Sequence, residues 1–143
     1  MRLRSKRRNR QAGFTLIELL VVLVILGLII GIVAPRAVNF LSRAKSDVAK
    51  IQIESFATAL DLFQLDVGRY PVTQEGLDAL IERPGNATRW NGPYLRADAV
   101  PLDPWDRAYR YEAPGGGGKP YRLMSLGADG QPGGEGEDAD IVN

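Results

Sequence analysis

Residues 10–31 read RQAGFTLIELLVVLVILGLIIG and constrain the architecture of this chain more strongly than any other stretch. They overlap an apolar run from Phe14 to Ala34 in which Glu18 is the only charged residue. These 21 residues, at about 1.5 Å of helical rise each, span roughly the 30 Å hydrocarbon core of a bilayer. We therefore expect residues 14–34 to form a membrane-spanning helix.

Charge is distributed unevenly along the 143 residues, although the net charge is only +1. Basic side chains crowd the first ten residues, and acidic ones crowd the end of the chain. Because short basic flanks are retained in the cytoplasm, we expect the N-terminus to stay there and the rest of the chain to face outward. The sequence has no cysteine and no histidine, which excludes disulfides, zinc fingers and catalysis by either side chain.

Glu18 is unusual in such a segment. An ionised carboxylate costs roughly 2.5–3.5 kcal/mol at the centre of a transmembrane helix, and less near its edge. A simple anchor gains nothing by carrying it. If the chain is cut between Gly13 and Phe14, a new α-amino group lies four residues before Glu18. In an assembly of staggered helices, a neighbour's amine would come within reach of the carboxylate.

The segment AGFTLIELLVVLVILGLIIG resembles the class III signal of type IV pilins and type II secretion pseudopilins. That signal has a basic leader ending in glycine, followed by Phe, Thr, Leu and a glutamate at the fifth mature position. The resemblance implies that prepilin peptidase removes residues 1–13 by cutting after Gly13. It also implies that Phe14 becomes an N-methylated first residue and that Glu18 guides subunit docking during filament assembly.

A second helical pattern follows the apolar run. Apolar residues are spaced alternately by four and three, which predicts one buried face of an amphipathic helix over residues 35–67: Ala49, Ile53, Phe56, Leu60, Phe63 and Val67. Pro35 is expected to kink or locally break the helix, and Gly68 to end it. One helix over residues 14–67 would be roughly 80 Å long. A domain of this size cannot cover that length, so the N-terminal half must find partners elsewhere.

Residues 68–143 predict a small globular region. A turn and short helix come first, with Leu77, Leu80 and Ile81 on one side and Thr73 as a cap. Two strands are predicted at residues 109–112 and 121–126, separated by a turn rich in proline and glycine. The predicted fold class is α+β, with a small antiparallel sheet packed on the second half of the long helix.

Four further stretches extend the resemblance over nearly the whole chain and narrow it to the major pseudopilins of the type II secretion system: LDLFQLDVGRYPVTQEGLDALI, GPYL, DPWDRAYRY and SLGADGQPGGEGEDADI. One departure is Asp106-Arg107-Ala108, where the family commonly has Gly-Asn-Pro.

The resemblance implies a pilin-like fold and a non-enzymatic, structural subunit. It also implies a single-pass inner-membrane protein with a periplasmic C-terminal domain, which polymerises with itself into a periplasmic pseudopilus supporting export of folded proteins. The implied partners are prepilin peptidase, minor pseudopilins, the inner-membrane assembly platform and the membrane; no nucleic-acid partner is expected.

Two other functions remain open from the residues. A type IV pilin of a surface fibre needs the same N-terminus, but it usually has a C-terminal disulfide loop that this chain cannot form. A membrane-tethered binding module or enzyme could use Asp103, Asp106 and Asp129 as carboxylates, although no nucleophile or base motif surrounds them.

Residues 127–141 read GADGQPGGEGEDADI and place five carboxylates among glycines. Composition alone favours a solvated tail over a calcium loop, and the spacing does not fit an EF-hand. The resemblance implies one structural Ca²⁺ that pins a loop which otherwise repels itself. By the same resemblance its carboxylate ligands are Asp129, Asp138 and Asp140, and its carbonyl ligands are Leu126 and Gln131, with Glu135 and Glu137 as alternatives.

Overall fold

The computed structural model describes residues 13–143, except for the side chains at positions 35, 38 and 39. The basic leader predicted for residues 1–13 therefore lies, apart from Gly13, outside the described residues. The chain divides into two compact units, one ending at Asn39 and the other comprising Phe40–Asn143.

The long helix α1 extends from Leu16 to Val67. It ends where Gly68 adopts a φ of 87°, a left-handed conformation that favours glycine after a helix C-terminus. The Gly68 amide still donates to the Gln64 carbonyl at 2.8 Å. The predicted end at Gly68 is thus confirmed. A break at Pro35 is not observed, because the loss of one backbone donor does not interrupt helix between strong flanking helix formers.

The unit Phe40–Asn143 contains a three-stranded antiparallel sheet in the order β1-β2-β3. Strand β1 spans Arg110–Glu112, β2 spans Arg122–Ser125 and β3 spans Ile141–Val142. Tyr111 pairs with Leu123, and Ser125 pairs with Ile141. The first two strands confirm the sequence prediction. The third was not predicted, since two residues after an acidic loop carry too little pattern to identify a strand.

The core of this unit forms between the apolar face of α1 and the C-terminal region. Phe56, Leu60 and Phe63 are fully buried, together with Leu80 and Leu123. The alternating spacing read from the sequence therefore marks the core-facing side of α1. The aromatic rings interlock: Phe56 meets Tyr109 edge-on with ring centroids 5.1 Å apart, and Phe63 meets Tyr94 at 5.8 Å. These contacts confirm the α+β class.

The short helix after α1 is a 3-10 helix, Leu77–Leu80, whose N-cap residue is Gly76. The prediction that Thr73 caps it was wrong. The Thr73 hydroxyl instead accepts from the Ala113 amide at 2.9 Å and donates to the Ala113 carbonyl at 3.1 Å. Residue 113 is 40 positions away, so the hydroxyl joins the loop to the end of β1 rather than closing a local turn.

Candidate functional site

The N-terminal motif has a defined local geometry. Gly13 and Phe14 precede the helix, and the Phe14 side chain is 85% exposed. The Thr15 hydroxyl accepts from the Glu18 amide at 3.2 Å, which makes Thr15 the N-cap of α1. Threonine followed three positions later by glutamate is a capping-box pattern that the sequence analysis missed. The motif thus places the helix start two residues after the predicted cleavage site.

The first part of α1 meets the requirements for crossing a membrane. Residues Leu16–Ala34 have a mean hydropathy of 3.2, and none of this stretch is buried in the described part of the chain. Glu18 is exposed in the first turn of this helix. A 19-residue apolar helix without internal cover is consistent with membrane anchoring.

The acidic loop is built from two turns, each organised by an aspartate. Asp129 Oδ1 accepts from the Gln131 amide at 2.9 Å. Asp140 Oδ2 accepts from the Gly133 amide at 3.0 Å, while the Asp140 amide donates to the Gly133 carbonyl at 3.1 Å. Aspartate side chains commonly stabilise turns in this way. The loop is therefore a folded segment in this structure, and the solvated-tail alternative does not describe it.

Main-chain contacts join the two sides of the loop. The Ala128 amide donates to the Glu137 carbonyl at 2.9 Å, and the Gly130 amide donates to the Leu126 carbonyl at 3.1 Å. A short 3-10 turn, Gly136–Asp138, completes the second side. A side chain at Gly127 would collide with this turn, since its Cβ would lie 2.8 Å from the Glu137 carbonyl oxygen. Only glycine fits at that approach.

The predicted ligands differ in how well they suit a cation. Asp140 Oδ1 is buried without a hydrogen-bond partner among the described residues, and such an oxygen suits a hard cation. The Leu126 carbonyl already accepts one hydrogen bond, whereas the side chains of Asp129, Gln131, Glu135 and Asp138 are exposed. Within residues 13–143, no three acidic side chains converge as a ready metal cluster. A Ca²⁺ ion here would need main-chain or water oxygens in addition.

A buried aspartate anchors the neighbouring turn. Asp103 Oδ1 accepts from the amides of Trp105 and Arg107 at 3.0 and 2.9 Å, and Oδ2 accepts from the Ser125 hydroxyl at 2.6 Å. Both oxygens of this carboxylate are thus occupied by the chain's own donors. Burial raises the pKa of the Tyr109 hydroxyl, and the nearby Asp103 charge raises it further. Asp103 organises a turn, and this role explains its burial without a catalytic one.

Arg107 connects that turn to the acidic loop. Its two terminal nitrogens donate to the carbonyls of Gly127 and Ala128. No local sequence signal predicts this contact, because the partners are 20 and 21 residues apart.

Comparisons with known proteins agree with this architecture. Residues 36–143 match the family model "Type II secretion system (T2SS), protein G", and residues 8–34 match the "Prokaryotic N-terminal methylation motif". Over 141 residues the chain is 48% identical to a type II secretion system core protein G from Pseudomonas aeruginosa, covering 96% of this chain and 97% of the relative. It is 41% identical to the core protein G of Vibrio cholerae, covering 96% and 94%.

A solved structure is also similar. The crystal structure of the major pseudopilin from the type 2 secretion system of enterohaemorrhagic Escherichia coli superposes with a TM-score of 0.59 at 30% sequence identity. The similarity covers 71% of this chain and 87% of that one.

Proposed function

Because this chain belongs to the type II secretion system protein G family, whose members are major pseudopilins, we propose that it polymerises into a periplasmic pseudopilus that supports export of folded proteins. The observation that carries the proposal is the uncovered apolar helix Leu16–Ala34 with its single acid. Outside lipid, so much apolar surface requires burial against other helices. Sister subunits provide that burial in a filament. The family match favours a pseudopilus over a type IV surface fibre.

We propose that prepilin peptidase cuts between Gly13 and Phe14 and that Phe14 is then N-methylated. The match of residues 8–34 to the methylation motif supports this. The exposure of both residues ahead of the Thr15 cap supports it as well, because a protease needs extended, accessible backbone. The mature protein would span the inner membrane once, with Phe40–Asn143 in the periplasm. Minor pseudopilins and the inner-membrane assembly platform would be its further partners.

We propose that Glu18 guides docking by meeting the methylated α-amino group of a neighbouring subunit. Its amide is held by Thr15, whereas its side chain is exposed at the edge of the apolar segment. An anion in lipid is stabilised by an opposite charge, so docking removes a cost that the isolated subunit carries.

The decisive experiment replaces Glu18 by Gln, with Glu54→Gln as the control for an exposed glutamate on the same helix. Intact-mass measurement should show loss of residues 1–13 and gain of one methyl group in both variants. Filament yield should fall about tenfold or more only in Glu18→Gln, because about 1.4 kcal/mol per docking step is a tenfold change in an equilibrium constant. Wild-type filament yield in Glu18→Gln would contradict the docking role. Loss of the whole apolar segment on maturation would contradict the proposal that the chain is a filament subunit.

We also propose that the acidic loop binds one structural Ca²⁺ through Asp129, Asp138 and Asp140, with main-chain oxygens from Leu126 and Gln131. The buried, unpartnered Asp140 Oδ1 supports the proposal. The all-oxygen donor set also suits Ca²⁺, which accepts carboxylates, carbonyls and water in flexible geometry. Glu135 and Glu137 are the alternative carboxylates. The ion would neutralise charges that otherwise repel one another.

A further inference from the structure

The acidic loop needs positive charge, and its own sequence supplies none. Five carboxylates fall between Asp129 and Asp140, and no lysine or arginine follows Arg122. Like charges concentrated in one short segment repel one another and oppose a folded loop. The compensating cation must therefore be an external ion or a side chain brought from elsewhere in the fold.

Arg107 is a side chain brought to this loop by the fold. Its guanidinium donates to the Gly127 and Ala128 carbonyls, which directly precede Asp129. It also lies close to Gly130, where an added Cβ would be 2.9 Å from Arg107 Nε. Gly130 has a φ of 71°, so glycine suits both this backbone conformation and the close approach of the guanidinium. The turn that carries Asp129 thus lies against the Arg107 guanidinium on both sides of Asp129 in sequence.

The Arg107 backbone is itself held rigidly. Its amide donates to Asp103 Oδ1 at 2.9 Å, and its carbonyl accepts from the Asp103 amide at 2.8 Å. Asp103 is 3% exposed and also accepts from the Ser125 hydroxyl at the end of β2. Because the guanidinium is a planar fork, it loses less conformational entropy for each hydrogen bond that it forms to the two carbonyls. The contact is therefore an ordered part of the fold.

Three consequences follow from this geometry. Charge-assisted hydrogen bonds to two carbonyls stabilise the first turn of the loop whether or not a metal is bound. The same positive charge also repels a divalent cation held by Asp129 and its neighbours. The Gly127 and Ala128 carbonyls accept hydrogen bonds from the guanidinium, so these two oxygens are less available to coordinate an ion.

We propose that Arg107 is a built-in cation of the acidic loop, which stabilises the loop's first turn without metal and lowers the loop's affinity for Ca²⁺. The affinity half of this proposal rests on the calcium site proposed above; the stability half does not. Arg107 is not a ligand of the ion: it acts on the loop through its hydrogen bonds and on the ion only through its charge.

The test uses the full-length protein in detergent micelles and three variants. Arg107→Gln removes the charge, Arg107→Lys keeps the charge but loses the forked geometry, and Arg110→Gln is the matched control on an exposed β1 arginine. Tryptophan fluorescence reports unfolding of Phe40–Asn143, since both tryptophans lie there. Melting is followed in excess EGTA and in saturating CaCl₂, and Ca²⁺ affinity is measured by titration calorimetry.

In EGTA, Arg107→Gln should melt about 4 °C or more below wild type, with Arg110→Gln unchanged. The Ca²⁺ affinity of Arg107→Gln should rise about three- to tenfold, and this gain should shrink in high salt as the lost charge is screened. In EGTA, Arg107→Lys should melt at a temperature between those of wild type and Arg107→Gln, and its Ca²⁺ affinity should equal that of wild type. A purely structural role would lower the melting temperature without raising the affinity.

Equal melting of Arg107→Gln and Arg110→Gln in EGTA would overturn the stability half. Unchanged or weaker Ca²⁺ binding in Arg107→Gln would overturn the affinity half. Absence of any Ca²⁺ response in wild type would instead contradict the proposed calcium site, and the EGTA comparison would still decide whether Arg107 stabilises the loop.

Discussion

Arg69 and Glu75 form a forked ion pair directly after α1. Each terminal nitrogen of Arg69 lies 2.7 Å from a Glu75 carboxylate oxygen, and Glu75 also accepts from the Val72 amide at 2.9 Å. Arg69 further donates to Asn86 Oδ1 at 2.8 Å. The hydrogen bonds from Arg69 lower the pKa of the Glu75 carboxyl, although partial burial acts in the opposite direction. This pair closes the turn that leads out of the helix.

Glu75→Gln should make stability less dependent on pH. A carboxyl with a lowered folded-state pKa stabilises the fold above its ordinary pKa, near 4.5, and this contribution is lost as the pH falls through the folded value. The variant should therefore be less stable than wild type at pH 7, by about 1 kcal/mol at most because Arg69 is partly exposed. Urea denaturation between pH 2.5 and 7 measures the difference.

The two curves for Glu75→Gln and wild type should converge at the acid end of that range. Glu82→Gln, at another exposed glutamate, provides the control and should track wild type throughout. A constant difference between Glu75→Gln and wild type from pH 7 to pH 2.5 would argue against an ionic origin.

In its second half, helix α1 has one buried face and one exposed face. Phe63 is fully buried and contacts the Tyr94 ring, whereas Leu65, two positions later, is 75% exposed. Burial of a large side chain and cavity formation dominate the cost of truncation, so the two positions should differ greatly. The element contributes stability through one face, although both faces contain apolar residues.

Phe63→Ala should destabilise Phe40–Asn143 by about 3–5 kcal/mol, because it removes a buried ring and leaves a cavity. Leu65→Ala, on the exposed side of the same helix, should change stability by about 0.5 kcal/mol or less. Chemical denaturation followed by tryptophan fluorescence measures both. Similar midpoints for the two variants would show that the burial pattern of α1 is misassigned.

Over the whole Phe40–Asn143 unit, the acidic loop connects β2 to β3. Asp140 immediately precedes β3, and its carboxylate also holds the Gly133 turn. A ligand that binds only the folded loop stabilises the entire cooperative unit by mass action. Calcium bound at this one loop should therefore raise the melting temperature of the complete globular region.

Asp140→Asn should keep the hydrogen bond from Gly133 while removing the charge. Wild type should gain about 2.7 kcal/mol when free Ca²⁺ is 100 times the dissociation constant, and the variant should lose most of that gain. In EGTA the two proteins should melt within a few degrees of each other. Asp98→Asn, at an exposed acid outside the loop, is the control, and an undiminished Ca²⁺ response in Asp140→Asn would exclude Asp140 as a ligand.

Regular and local features were predictable from the sequence. The apolar run, the spacing of Ile53, Phe56 and Leu60, and the stop at Gly68 all specify α1, because helical periodicity and glycine conformation are encoded in neighbouring residues. The first two strands were also recognisable, because the turn rich in proline and glycine between them is a local signal. The ligand set of the acidic loop stays a prediction.

Long-range contacts could not be read from the sequence. The Thr73 hydroxyl bonds the backbone of Ala113 instead of capping a helix. Strand β3 forms because Ile141 pairs with Ser125 of β2. Arg107 donates to a carbonyl 20 residues away. Sequence alone determined that the chain has an apolar N-terminal helix with an amphipathic continuation, since both follow from residue order along one helix. Only the tertiary structure decided how the polar groups of the C-terminal region pair, because hydrogen bonds between distant segments depend on which surfaces packing has already brought together.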